Sequence, residues 1–149
     1  MASDVSSETI RRRIAHYFDA AARNGGSATV VVGLPPGSRH ELGAFAFAVA
    51  ARRAGLDVVY LGADVPIDAW RQTVRDTRPR AVVVAVVARG DARSASDVIR
   101  ALAEDDTTLV AVGGPSAAGI SDELGAIHLP DRFDEAVPLL LEAIGATTR

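Results

Sequence analysis

From residue 28 onward the chain alternates between short, almost uninterrupted apolar runs and longer segments whose apolar residues recur every three or four positions. The runs Thr29–Leu34, Asp57–Leu61, Ala81–Ala88, Thr108–Val112 and Ala126–Leu129 show little polar alternation. A strand that is apolar on both faces is buried on both faces, so these runs predict five strands of a parallel sheet. Between them the spacing predicts helices over Glu41–Ala54 (closed by Arg52, Arg53 and Gly55), from Asp64 or the Pro66 turn to about Thr77, and from Ser94 or Ser96 to Ala103. A short helix is expected over about Ser116–Leu124, and a last one from Asp131 or Asp134 to Ile144. Pro138 lies inside the last; lacking an N–H, it predicts a bend or an early stop.

Strands that alternate with helices form an α/β sheet covered on both faces, and right-handed crossovers restrict its winding. Five strands favour the flavodoxin-like, doubly wound order 2-1-3-4-5. Its switch point falls between strands one and three, flanked by loops 34–43 and 88–93, which is where such sheets place ligands. Ahead of the sheet, residues 1–7 are polar and read as disordered. Ile10, Ile14, Tyr17 and Ala21 share one face of a helix over residues 8–23, capped by Ser7 and ended by Asn24-Gly-Gly-Ser27. The expected organisation is therefore a disordered 1–7, one extra helix and turn over 8–27, and an α/β domain over 28–146.

Composition narrows the chemistry more than the fold. At 149 residues and 48% hydrophobic, the chain suits one domain with a sizeable core. With no cysteine, disulfides, thiolate metal sites and cysteine nucleophiles are excluded. The net charge of -3 gives no reason to expect nucleic acid or an anionic membrane as partner. Every basic side chain is Arg. The triplet Arg11–Arg13 reads as a solvated helix face, and Trp70 as half-buried packing. No run reaches the ~20 apolar residues of a membrane span, and the polar N-terminus lacks a secretory signal; a cytoplasmic protein is the expectation.

The candidate chemistry gathers in Gly33-Leu-Pro-Pro-Gly-Ser-Arg-His-Glu-Leu-Gly43, at the carboxyl end of the first strand. The spacing of Gly33, Gly37 and Gly43 matches neither G-x-G-x-x-G nor a Walker loop with its Lys, and Pro35 and Pro36 remove amide donors. The strand ends in Leu34-Pro35, without the Asp a receiver domain needs for Mg²⁺, and no G-x-S-x-G is present. His40 remains. Imidazole suits a transition metal, yet one ligand makes no protein metal site, and His16 and His128 are far away in sequence. A metal role for His40 requires a metal that brings its own macrocycle. Otherwise His40 is a solvated helix-start residue, and Gly113-Gly114 is an ordinary turn.

The order of these features resembles the cobalamin-binding domain family, nearest to the cobalamin-sensing domains of light-responsive transcriptional regulators. Loop 33–43 is similar to the family's acidic-x-His-x-x-Gly motif, with His40 and Gly43 in register. Arg53-Ala-Gly-Leu-Asp-Val-Val-Tyr-Leu-Gly62 with Asp64-Val-Pro66 resembles its second strand and following turn, and Val112-Gly-Gly114 its glycine pair. The resemblance covers roughly residues 28–145. It implies that His40 is the lower axial ligand to cobalt and that Gly43 lets the helix approach the corrin. It also implies that Gly113 and Gly114 admit the nucleotide tail past the third strand. The cofactor-contacting positions it implies are Gly37, Ser38, Arg39, His40, Glu41, Leu42, Gly43, Ala85, Val87, Gly113, Gly114 and Pro115. Adenosylcobalamin or methylcobalamin is the implied cofactor.

The chain departs from the family in three places. Ser38 stands where the motif has an acidic residue, whose carboxylate normally supports the histidine. Ala85-Val-Val-Ala88 is apolar where polar side chains usually meet the tail. One helix ahead of the sheet cannot form a four-helix cap. The expectation is a non-catalytic sensor or carrier that works through a protein partner or an upstream helical or regulatory domain. The alternatives are the small cobalamin subunit of a two-chain mutase or methyltransferase, and a domain that has lost its cofactor and serves protein contacts.

Overall fold

The computed structural model describes residues 28–104, 107–120 and 124–147; the helix expected over 8–23 lies outside them. Five strands are present, β1 (Thr29–Gly33), β2 (Asp57–Gly62), β3 (Ala81–Ala85), β4 (Leu109–Gly113) and β5 (Ile127–His128). All pair in parallel, in the order β2-β1-β3-β4-β5. This is the expected doubly wound, flavodoxin-like sheet. The helices are α1 (Leu42–Arg53), α2 (Ile67–Thr77), α3 (Ala92–Leu102) and α4 (Phe133–Thr147).

The apolar runs divide by parity between two cores. Val30, Val32, Val83 and Ala111 pack with Phe47 and Ala51 of α1 and Ala136, Val137 and Leu140 of α4. Val31, Val82, Val84 and Val112 pack with Trp70 and Val74 of α2 and Val98, Ile99 and Leu102 of α3. Strands that feed a core on each side have no face to leave polar, which explains the missing alternation. Trp70 is fully buried rather than half-buried. It lies against Gly33, where an added Cβ would come within 3.0 Å of the indole. The β1–β2 register shifts between Val32 and Gly33, at the carboxyl end of β1.

Several boundaries differ from expectation for identifiable reasons. β3 stops at Ala85, and Val86 beyond it donates to Gly113 and accepts from the Ser116 amide. α3 starts at Ala92, before either serine proposed as its cap. Ser94 instead donates to Pro36 O at 2.7 Å and Ser96 to Ala92 O at 2.9 Å, so neither hydroxyl is spent on capping. Of the two starts expected for α2, the Pro66 turn is the one found, with Pro66 as the N-cap. α4 continues through Pro138 to Thr147. Pro138 forgoes only the one bond that its missing N–H would make to the Asp134 carbonyl, and the helix carries on past it. Of the expected short helix, residues 120 and 124 are helical and 121–123 lie outside those described. Among the described residues no helix is long and apolar enough to cross a membrane.

Candidate functional site

The loop after β1 is fastened from both sides before it reaches the histidine. Leu34 is buried; its amide donates to Gly62 O and its carbonyl accepts from the Val65 amide. Gly37 takes a left-handed conformation with φ of 85°, and its N–H donates to the Asp64 carboxylate at 2.6 Å. The Asp64 amide returns a bond to Ser38 O at 2.8 Å. Asp64 has a φ of 51°, a conformation costly for a residue with a Cβ and held here by these two bonds. On the other side, Ser94 holds Pro36, and Ser38 Oγ donates to Asp91 at 2.9 Å. Sequence reasoning missed Asp64 and Asp91 as anchors: it places Asp64 in the turn after the second strand and does not single out Asp91, because their contacts exist only once β2 and β3 bring those turns beside this loop.

Arg39, His40 and Glu41 then emerge exposed at the start of α1. Tyr60 of β2 donates from its hydroxyl to Glu41 Oε1 at 3.1 Å. Burial, followed by the bond to Glu41 and its negative charge, pushes the Tyr60 phenol up to about 12.

His40 stands at the edge of a cavity of about 580 Å³, within the size range of small-molecule sites. Val32, Val83 and Ala85 line it from the sheet and Val87 from the segment after β3; Phe47 comes from α1, and Phe133 and Ala136 from α4. Gly113, Gly114, Pro115 and Leu129 lie beyond, and Glu41, Leu42, Gly43 and Asp131 lie with His40 around it. Nine of the twelve expected positions therefore share one cavity: His40, Glu41, Leu42, Gly43, Ala85, Val87, Gly113, Gly114 and Pro115. Gly37, Ser38 and Arg39 do not line it. The contribution of α4 was missed, although the parity that puts Val83 on the α4 side puts Ala85 and Val87 there too.

The glycines differ in what demands them. An added Cβ at Gly114 would lie 2.5 Å from Val86 O, and its φ is 114°, so the backbone crossing itself requires glycine there. At Gly113 a Cβ would make ordinary contact with Leu129 at 3.7 Å. At Gly43 a Cβ would meet no atom of the described residues within 4 Å outside its own helix. Nothing in the described packing requires glycine at position 43, which faces the cavity.

Residues 28–132 match the family model of the B12 binding domain. The chain belongs to the B12-binding domain family. Solved structures with this fold include a cobalamin-binding protein from Desulfitobacterium hafniense DCB-2 (23% identity, TM-score 0.67, covering 78% of this chain and 58% of that one). A second is the monomethylamine corrinoid protein of Methanosarcina barkeri (19% identity, TM-score 0.70, covering 77% and 57%). A third is the methanol:cobalamin methyltransferase complex of the same organism (21% identity, TM-score 0.68, covering 81% and 47%). At these identities the likeness is one of fold. This B12-binding domain spans 47% to 58% of the chains it resembles.

The site's residues fit the family's cofactor. The cavity wall is mainly apolar, as suits an aromatic nucleotide tail, and Gly43 leaves open the approach above α1. Among the described residues no three His, Asp or Glu side chains converge to hold a bare metal ion. A single exposed histidine could serve as the one protein ligand to a metal that arrives inside its own macrocycle.

Proposed function

We propose that this B12-binding domain holds a cobalamin with His40 as the lower axial ligand and the nucleotide tail in the cavity between α1 and α4. It serves as a sensor or carrier that acts through a protein partner. The observation that carries the reading is the meeting of an exposed imidazole, an open glycine and a 580 Å³ apolar cavity at the sheet's switch point. When bound, the group would supply a cobalt centre able to carry an alkyl group. The chain's own work is to present one imidazole nitrogen, to shield the tail from water and to hold the loop still. The methyltransferase complex with this fold supports a partner, in keeping with a carrier.

The test is retention. The protein is mixed in the dark with hydroxocobalamin and, separately, with adenosylcobalamin, desalted, and its visible spectrum recorded. Stoichiometric corrin, with a spectrum altered by His40→Ala, is the expected result. No retained corrin from either form would overturn the reading and leave a domain devoted to protein contacts.

A further inference from the structure

Ser38 is one of two buried polar side chains among the described residues, and only 1% of it is exposed. Its hydroxyl hydrogen goes to Asp91 Oδ2 at 2.9 Å, and the same oxygen accepts the Ala88 amide at 3.0 Å. The carboxylate is thus held in the β3–α3 turn and aimed at a hydroxyl two residues before His40. A serine hydroxyl has one hydrogen and two lone pairs. With that hydrogen committed to Asp91, Ser38 Oγ has only lone pairs left to offer.

We propose that Asp91, acting through Ser38, is the positioning carboxylate for His40. The negative charge absent from position 38 has moved one group further back, into the neighbouring turn. With the cofactor bound, Ser38 would accept an N–H from the imidazole, which would leave the other ring nitrogen unprotonated and available to a metal. The carboxylate behind the hydroxyl makes its oxygen a stronger acceptor, because linked hydrogen bonds polarise one another. Loop fastening alone does not account for the pair. Gly37 and Ser38 are already tied to Asp64, and Pro36 to Ser94. A carboxylate taken partly out of water is a costly staple where a neutral group would serve.

The inference rests on His40 being the lower ligand, and its test separates the two. Hydroxocobalamin is titrated into the full chain and into Asp91→Asn, Ser38→Ala, the double variant, and the exchange S38D/D91S. Asn keeps an oxygen for both donors and removes only the charge. Asp91→Asn is expected to weaken retention about tenfold, the usual scale for losing a ligand's supporting group. Ser38→Ala should cost at least as much. The double variant should be no worse than Ser38→Ala, since the two groups act in series. The exchange should restore binding, because it returns a carboxylate to the loop. Circular dichroism of each variant guards against misfolding, and the exchange tests the idea even where Ser38→Ala fails to fold. If the wild type binds through His40 while Asp91→Asn binds equally well, or if the two losses multiply, the relay is wrong and the ligand assignment stands. If the wild type retains no corrin, both fall.

Discussion

Position 43 separates what the fold needs from what the ligand needs. An alanine there meets no atom of the described residues beyond its own helix and replaces a helix-destabilising glycine in the first turn of α1. Gly43→Ala is expected to leave the unliganded protein as stable or up to about 1 kcal/mol more stable. The same methyl group, facing the cavity, should weaken corrin retention at least tenfold; thermal unfolding and desalting of one preparation measure both. Gly114→Ala should behave in the opposite way. Its Cβ would strike Val86 O, so a loss of about 2 kcal/mol or more in unfolding free energy is expected with or without corrin. The glycine pair was legible as a pair. That one member answers to the chain's own backbone was not, because the crossing of Val86 over residue 114 is a tertiary contact.

Among the elements, β2 and the start of α1 are joined through Tyr60 and Glu41, with Phe45 edge-on to the Tyr60 ring at 5.6 Å. Burial and Glu41 raise the folded phenol to about 12 from its ordinary value of about 10. The folded state therefore keeps this proton where the unfolded chain has lost it. The stabilisation is complete below the unfolded value and is lost as pH rises from about 10 through about 12. With no Lys and two Tyr in the chain, few other groups titrate there. Denaturant unfolding should show a fall in stability across that window, and Tyr60→Phe should flatten it. The elements themselves were legible from periodicity, and their ends were not. Ser94 and Ser96 have the chemistry of caps, yet their hydroxyls bond Pro36 and Ala92. Asp64 looks like a helix start, yet it holds Gly37.

Across the whole molecule, the sheet order followed from five unalternating runs and the handedness of crossovers. The cavity did not follow, because it is a gap between α1 and α4 and a gap has no motif. The apolar stretch Ala85–Ala88 looked in sequence like a deficit. In the fold, Ala85 and Val87 form part of a wall that is apolar almost throughout. Ala85→Ser, which adds a hydroxyl to that wall, should tighten corrin retention by the worth of one hydrogen bond, about 0.5–1.5 kcal/mol.

The central claim is that a nitrogen of this protein, on His40, sits below the cobalt. Electron paramagnetic resonance of the cob(II)alamin complex reads the lower ligand directly, since its nitrogen splits the cobalt lines. In protein grown with heavy-isotope histidine, the account predicts that each triplet becomes a doublet and that this pattern disappears in His40→Ala. Triplets that persist in the labelled protein would mean that the cofactor's own base is the ligand, and would contradict it.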